Sequence, residues 1–205
     1  MQEALTTMLR MQDRMNTRVH PQWVAQGFAW HRAIWVECAE LVDHHGYKWW
    51  KHQEPDMEQV QLEVVDIWHF GMSAYFQGDA TIEQLAESIM GVWPVAPPKL
   101  GILEASEALA AVAAGEQRFC IVSFASLLSA VDLDFAGLYR HYLGKNVLNF
   151  FRQDHGYKEG SYRKLWAGRE DNEHLMELLV EIDTGASDAE EQLYSALSQR
   201  YTETT

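Results

Sequence analysis

Hydrophobic residues recur mostly at intervals of three and four positions, which predicts α-helix. The predicted helices cover residues 3–18, 28–44, 57–76, 80–90, 102–114, 117–130, 134–143, 145–153, 170–183 and 187–201. Residues 91–101 contain three of the five prolines and predict a linker. Only FCIVSF at 119–124 has the composition of a strand, and no partner strand is evident. The pattern therefore predicts an all-α helical bundle.

Length and composition favour one soluble domain over residues 1–205. Hydrophobic residues make up 47% of the chain, as in ordinary globular proteins. Cys38 and Cys120 are too few for a disulfide framework, which favours a reducing compartment. No apolar run approaches the ~18 residues of a membrane span, and the first residues lack the layout of a signal peptide. We therefore expect a cytoplasmic protein with no membrane partner.

The charge is unevenly distributed. The net charge of −14 argues against a nucleic-acid polymer as partner, because phosphate backbones require clustered cations. Residues 140–169, however, contain seven Lys and Arg against two acids. Within this cationic segment, Lys145, Asn149 and Arg152 have the spacing of one helix face. The segment is either a confined anion site or a solvated basic surface.

Two pairs of carboxylates are the main chemical signal. Glu37 and Glu40 are three residues apart on one predicted helix, and Glu63 and Asp66 are three apart on the next. Each pair shares a helix face, and all four acids stand among apolar residues, so we expect them to be buried. Buried like charges require neutralising cations, and oxygen-only ligands suit Mg²⁺ or Mn²⁺. The alternative is one surface pair and one ordinary ion pair.

Other catalytic motifs fit less well. A di-iron bundle needs two Glu-x-x-His pairs, and only Asp66 and His69 approach that spacing. The nine histidines show no ligand spacing and are expected to be packing or surface residues. No phosphate-binding glycine loop or nucleophile elbow occurs. An acidic metal site together with a cationic helix face is instead what metal-assisted phosphate chemistry requires.

Gln12 and Asn16 are unusual polar residues on an apolar stripe. They lie one helical turn apart on the same face as Leu5, Met8 and Met15. Each amide carries a donor and an acceptor, which an imide-like base edge requires. The alternative is polar packing between helices.

Three stretches resemble the dimeric, all-α dUTPases, which belong with the all-α nucleotide pyrophosphohydrolases. They are ECAELVDHHGYKWWK (37–51), EVVDIWHF (63–70) and GKNVLNFFRQDHGYKEGSY (144–162). The metal motif of that family, E-x-x-E followed by E-x-x-D, corresponds to the two carboxylate pairs. Residues 91–135 show no motif of the family, and we expect a variable and mobile helical region there.

The resemblance implies a role for each candidate residue. Four carboxylates would hold Mg²⁺, with Mn²⁺ as a substitute: Glu37, Glu40, Glu63 and Asp66. Independently of the resemblance, we expect either Glu40 or Glu63 also to orient or deprotonate the attacking water. Five polar residues would contact the phosphates: Lys48, Lys145, Asn149, Arg152 and Lys158. Gln12 and Asn16 would read the uracil edge. Three aromatic residues would line the nucleoside: Trp50 beside the base, Phe70 where a ribose 2′-hydroxyl would lie, and Tyr157 near the deoxyribose.

The implied activity is hydrolysis of dUTP to dUMP and pyrophosphate through a metal-activated water. The resemblance also implies dUDP as an additional candidate substrate, and a homodimer. Two alternatives stay open at this point. One is a related pyrophosphohydrolase that acts on dCTP or on several nucleoside triphosphates. The other is an acidic helical protein that binds a partner and has no activity.

Overall fold

The structure is a computed structural model that describes residues 1–204. The chain divides into two compact units, residues 1–138 and residue 139 onward. Helices dominate both units, and the only strands within residues 1–204 form one two-residue hairpin. The all-α prediction is confirmed. The single domain over 1–205 stays a prediction.

The first unit consists of helices that match the predicted ones to within a few residues. They are α1 (Gln2–Val19), a short 3-10 helix (Val24–Gln26), α2 (Trp30–His45), α3 (Met57–Tyr75), α4 (Ile82–Val92), α5 (Ile102–Glu116), α6 (Ile121–Ala130) and the start of α7 (Phe135–Asp154). The predicted linker is the irregular segment between α4 and α5. The helix predicted over 117–130 is confirmed despite the strand-like composition of FCIVSF, because α6 begins at Ile121 within that stretch.

Helix α3 is the central helix of the first unit. Apolar residues from Val60 to Met72 are buried around its whole circumference, which is typical of a core helix. Its N-terminus is capped by Asp56, whose carboxylate accepts a hydrogen bond from the backbone N–H of Gln59 at 3.2 Å. Helices α1 and α2 both pack against α3. Polar residues on α3 are therefore enclosed by these two neighbours.

Helix α2 is held between α3 and α5. The ring of Trp30, at the start of α2, stacks on Phe70 near the end of α3, with centroids 6.2 Å apart. The two helices are therefore antiparallel, with the loop 46–56 joining them. On its other side, the hydroxyl of Ser106 in α5 donates to the carbonyl of Cys38 at 3.1 Å. These contacts fix which face of α2 is turned toward α3.

A cluster of aromatic side chains forms part of the core beside α3. Trp68 stacks on Phe124 of α6, with centroids 4.8 Å apart and ring planes 18° apart. Phe119 packs against both rings and against the backbone of Gly71. A Cβ at Gly71 would lie 2.5 Å from the Phe119 ring. The absence of a side chain at this position therefore permits the close approach of Phe119 to α3.

The second unit contains most of α7, the hairpin of β1 (Leu165–Trp166) and β2 (Arg169–Glu170), α8 (Asp171–Glu181) and α9 (Ala189–Glu203). Both residues of the hairpin turn, Ala167 and Gly168, have positive φ, as a type I′ turn requires. The ring of Phe151 packs edge-on against Trp166 and Tyr201 at 5.7 and 5.3 Å. These contacts join α7, the hairpin and α9 in one core.

Helix α7 differs from the prediction of two short helices over 134–143 and 145–153. It is a single helix that runs through Gly144. Glycine usually weakens a helix interior, and Gly144 is the residue that separates the two predicted helices. A Cβ there would lie 2.6 Å from the side chain of Leu179 in α8. Gly144 therefore serves the packing of α8 against α7 and does not end the helix.

Neither cysteine forms a disulfide. Cys38 is buried, whereas Cys120, the residue that precedes α6, is only partly buried. Within residues 1–204, no single helix has the length and hydropathy to cross a membrane. The pair α6 and α7 reaches that length and composition only when taken together across a bend.

Candidate active site

Three carboxylates from α2 and α3 converge inside the first unit. One oxygen each from Glu37, Glu63 and Asp66 lies within 4.8 Å of the other two. Glu63 is 6% exposed, and the other two are half-buried. Glu63 and Asp66 are one turn apart on the face of α3 that is turned toward α2. Three of the four predicted acids therefore come together, and they are called here the acidic cluster.

The electrostatics of the acidic cluster favour a bound cation. Burial is the largest cause that raises the pKa of Glu37 to about 9, and the charges of Asp66, Glu63 and Glu40 act in the same direction. A divalent cation would displace the proton and neutralise these carboxylates. The oxygen-only donor set is chemically suited to a hard cation. The acidic cluster can therefore hold a metal ion.

The expectation that all four carboxylates are buried is wrong for Glu40. Its side chain is exposed, and it is not part of the acidic cluster. Glu40 lies one turn after Glu37, at the edge of the α2 stripe that faces α3. Its charge is still close enough to raise the pKa of Glu37. Its role as a metal ligand stays a prediction.

His44 lies beside the acidic cluster, contrary to the expectation that the histidines only fill the core or the surface. Its Nε2 is 3.5 Å from Oε1 of Glu63. His44 follows Glu37 by seven residues on α2, so the two share a helix face. Helical periodicity from Glu37 could have found His44, whereas a search for paired histidines could not.

A polar network connects α1 to α3. Nε2 of Gln12 donates to Oδ1 of Asn16 at 3.0 Å and to Oγ of Ser73 at 3.1 Å. Nδ2 of Asn16 donates to the same Oγ at 2.9 Å. On the other side of its amide, Oε1 of Gln12 lies 2.7 Å from Nδ1 of His69. The partners of Gln12 therefore set the orientation of its amide.

The sequence reasoning missed His69 and Ser73 as members of this polar network. The hydroxyl of Ser73 donates to the backbone carbonyl of His69 at 2.8 Å, which orients its lone pairs toward α1. Both residues were detectable by spacing, because they follow Asp66 by three and seven positions. What the spacing does not show is that α1 packs on this part of α3.

Phe70 lies between the acidic cluster and the polar network along α3. Asp66, Phe70 and Ser73 have the spacing of one helix face, and the rise from Asp66 to Ser73 is about 10 Å. Phe70 is half-buried and is stacked on Trp30. The acidic cluster, an aromatic ring and the Ser73 end of the polar network thus follow one another along α3. Contact of Phe70 with a sugar stays a prediction.

Trp50 lies toward the opposite end of α3 from the polar network. It belongs to the loop between α2 and α3 and is 61% exposed. Phe70 follows Met57, the first residue of α3, at an axial distance of about 20 Å. In one chain, Trp50 and the polar network therefore do not enclose a common base pocket. The role of Trp50 beside the base stays a prediction.

Lys48 is placed by the end of α2. Its Nζ donates to Oδ1 of Asp43 at 3.0 Å, and this hydrogen bond is the main cause that raises the pKa of Lys48. Its backbone N–H donates to Oε1 of Gln53 at 2.8 Å, which closes the loop. The loop residues 46–53 border an open cleft of about 560 Å³. Lys48 contributes positive charge to this cleft.

In the second unit, Lys145, Asn149 and Arg152 lie along one face of α7, as their spacing predicts. Nζ of Lys145 donates to Oδ1 of Asn172 at 3.2 Å, and Nη2 of Arg152 reaches the same oxygen at 3.4 Å. Nη1 of Arg152 donates to Oδ1 of Asn149 at 3.4 Å. The common contact with Asn172 confirms that the two cations share a face.

A buried acid opposes this cationic face. Nε and Nη2 of Arg152 each donate to a different oxygen of Asp171 at 2.8 Å. Burial raises the pKa of Asp171, but the hydrogen bonds and charge of Arg152 and a hydrogen bond from Tyr162 outweigh burial and hold that pKa below its usual value. Asp171 lies two residues beyond the cationic segment 140–169, so the charge count over that segment does not include it.

Tyr157 and Lys158 follow α7 and are both exposed. The guanidinium carbon of Arg152 is 5.9 Å from the ring centroid of Tyr157, within reach of a cation–π contact. Tyr157 therefore lies beside the cationic face. Contacts of both residues with substrate stay predictions.

The all-α fold together with a carboxylate cluster that could hold a metal ion is typical of metal-dependent hydrolases. A family model described as dUTPase matches residues 4–157, about three quarters of the chain, and includes the region 91–135. The chain belongs to the dimeric all-α dUTPase family and has dUTP diphosphatase activity. Enzymes of this family are generally metal-dependent and act on a nucleotide. A search of curated proteins found no match.

Proposed function

We propose that this enzyme uses Mg²⁺ to hydrolyse dUTP to dUMP and pyrophosphate, and that it also accepts dUDP. The observation that carries this proposal is the acidic cluster, whose ligand oxygens lie within 4.8 Å of one another. A hard cation is the simplest partner for such a group of oxygens. Mn²⁺ would serve as a substitute because it takes the same donors.

In this proposal Glu37, Glu63 and Asp66 hold the metal, and Glu40 completes the set at its exposed edge. When bound, the ion supplies Lewis-acid activation of water and of the phosphate oxygens. Glu40 or Glu63 orients the attacking water or takes its proton. Of the two, the exposure of Glu40 favours contact with water, whereas the burial of Glu63 favours a ligand role.

The phosphate chain is assigned to the predicted polar residues: Lys48, Lys145, Asn149, Arg152 and Lys158. Lysine and arginine offset the charge that develops on phosphate oxygens. Metal-assisted hydrolysis needs cations as well as carboxylates around the phosphate chain.

The nucleoside is assigned to the polar network and to three aromatic residues. Gln12 and Asn16 would read the uracil edge, since a fixed amide can present a donor and an acceptor in a set order. Phe70 would contact the sugar and exclude a 2′-hydroxyl. The rise of about 10 Å along α3 from Asp66 to Ser73 suits a nucleotide that extends from metal to base. Tyr157 would lie near the deoxyribose and Trp50 beside the base.

A homodimer is part of the proposal. Trp50 and the polar network lie toward opposite ends of α3 within one chain, so a base pocket with both needs Trp50 from a second copy. A cytoplasmic location remains a prediction from composition.

The direct test is to incubate pure protein with dUTP and Mg²⁺ and to measure dUMP and pyrophosphate. Glu63→Gln should lower kcat by at least about 100-fold, because it removes a ligand charge while it keeps the side-chain shape. Glu58→Gln is the matched control, since Glu58 is an exposed acid on the same helix. Turnover that is insensitive to Glu63→Gln or to chelation would refute the proposal.

Substrate selectivity separates the proposal from its main rival. Competition among dUTP, dUDP, dCTP, dTTP and UTP should show the highest kcat/KM for dUTP. A site that hydrogen-bonds one base edge rejects analogues strongly, because its buried polar groups would be left unpaired. Equal rates for dCTP and dUTP would instead support a broader pyrophosphohydrolase.

A further inference from the structure

Asp171 is the most enclosed acid of the second unit that directly contacts a predicted phosphate-binding residue. It is 0% exposed. Its two oxygens accept from Nε and Nη2 of Arg152, and one of them also accepts from the hydroxyl of Tyr162 at 2.8 Å. A buried carboxylate is costly unless it is paired. These three donors offset that cost.

The geometry of this ion pair determines where the guanidinium points. A carboxylate bound through Nε and Nη2 occupies one edge of the planar group. The opposite edge, at Nη1, is then directed toward Asn149, whose Oδ1 is 3.4 Å away. Arginine has three or four rotatable bonds, so an unanchored Arg152 would sample many orientations.

Asn172, the next residue of α8, orients the second cation. Its Oδ1 accepts from Nζ of Lys145 at 3.2 Å and lies 3.4 Å from Nη2 of Arg152. The carboxylate of Asp171 also interacts electrostatically with the ammonium group of Lys145. The start of α8 therefore contacts both cations of the α7 face.

We propose that Asp171 is a positioning residue for the triphosphate: together with Asn172 it holds Arg152 and Lys145 in the orientation that binds phosphate oxygens. This inference rests on the proposed function, in which both cations contact the phosphate chain. Asp171 itself would not touch the nucleotide. Preorganised cations bind an anion more tightly because they lose less side-chain entropy. The partial neutralisation of Arg152 is outweighed by this gain in order.

The test compares two competitive inhibitors of dUTP hydrolysis, α,β-imido-dUTP and deoxyuridine, in the wild type and in Asp171→Asn. Loss of positioning should raise the Ki of the triphosphate analogue at least about tenfold. The Ki of deoxyuridine, which carries no phosphate, should stay within about twofold. The KM for dUTP should rise in parallel with the Ki of the analogue. A merely structural role would change both inhibitors equally or neither.

Two further variants keep the test decisive. Tyr162→Phe removes one hydrogen bond to Asp171 and retains its charge, so it should move the analogue Ki in the same direction by a smaller factor. It decides the question if Asp171→Asn fails to fold. Glu177→Gln removes an acid from the exposed side of α8 and should leave both Ki values unchanged.

A selective loss of triphosphate affinity supports the proposal, and an unselective change or no change overturns it. If the wild type neither hydrolyses dUTP nor binds its analogue, the proposed function fails instead.

Discussion

At the scale of single residues, the most informative side chain is Glu37. Its raised pKa arises mainly from burial and then from the acids around it. When such a carboxyl group is ionised without a counter-ion, the free energy of unfolding decreases. When a cation binds beside it, the free energy of unfolding increases. The same residue therefore connects the folding of the metal-free protein to its capacity to bind a metal.

We expect Glu37→Gln to stabilise the metal-free protein at pH 8 by on the order of 1 kcal/mol. The pKa of Glu37 rises from 4.5 in a model peptide to about 9 in the fold. The folded state therefore binds this proton more tightly, and stability is highest below about pH 4.5 and is lost as the pH rises through 9. Glu37→Gln has no group that ionises at this position, so its stability does not decrease over this pH range for that reason. Urea unfolding with chelator at pH 5, 7 and 9 would measure the difference.

Added Mg²⁺ should stabilise the wild type, most strongly at alkaline pH, and should not stabilise Glu37→Gln. Glu58→Gln should behave like the wild type. Identical pH slopes in the wild type and in Glu37→Gln would contradict this account of the acidic cluster.

A second residue-scale prediction concerns Ser73. Its hydroxyl accepts from Gln12 and Asn16, so Ser73→Ala should remove one hydrogen bond from each amide and loosen their orientation, although Gln12 keeps its contacts with Asn16 and His69. We expect kcat/KM for dUTP to fall about tenfold while dCTP changes less, because the proposed base recognition depends on the orientation of these amides. Stabilisation by Mg²⁺ should persist. Ser88→Ala, an exposed serine on α4, is the control, and unchanged selectivity in Ser73→Ala would exclude this role of the polar network.

At the scale of elements, α3 unites the features of the first unit. It is buried on all sides, carries two acids of the acidic cluster, and contributes Phe70 and the α3 side of the polar network. Its position depends on close packing with α1, α2 and the aromatic core. A small displacement of α3 would therefore disturb the proposed metal binding and the proposed base recognition together.

Gly71→Ala tests this packing. The new Cβ would lie 2.5 Å from the ring of Phe119, and overpacking of this kind costs about 1–3 kcal/mol. The matched control is Gly91→Ala in α4, where no atom lies within 4 Å of the added Cβ. That change should be neutral or should stabilise by about 0.5–1 kcal/mol. Thermal unfolding measures both, and equal effects would contradict the packing argument.

At the scale of the whole molecule, the proposed homodimer needs an apolar surface, and the exposed side of α2 offers one beside the acidic cluster. Trp35 is 41% exposed and Val36 is 37% exposed on this side, next to Glu40. Apolar side chains of this size are commonly covered in a homodimer. A dimer at this face would lie beside the candidate metal site.

Trp35→Asp should convert a wild-type dimer to a monomer, because it would bury a charge in the interface. Sedimentation velocity at micromolar concentration is the measurement. Val180→Asp, at an exposed apolar position on α8, should leave the sedimentation coefficient unchanged. A monomeric wild type would contradict the proposed homodimer.

Much of the fold was predictable from the sequence because helices depend on local spacing. The helices of the first unit, the proline-rich linker and the shared face of Lys145 and Arg152 all follow from periodicity. Gly144 was misleading, since its effect within a helix depends on Leu179, which is distant in sequence. The hairpin at 165–170 escaped notice because its strands have only two residues each.

The sequence by itself determined the all-α class, the paired carboxylates and the family resemblance, because these depend on residue type and on spacings within one helix. Only the tertiary structure decided that Glu63 is buried while Glu40 is exposed, that Ser73 and His69 orient Gln12, and that Asp171 holds Arg152. Each of these depends on which helix packs against which face. Contacts of that kind join residues that are far apart in the chain, so no local pattern specifies them.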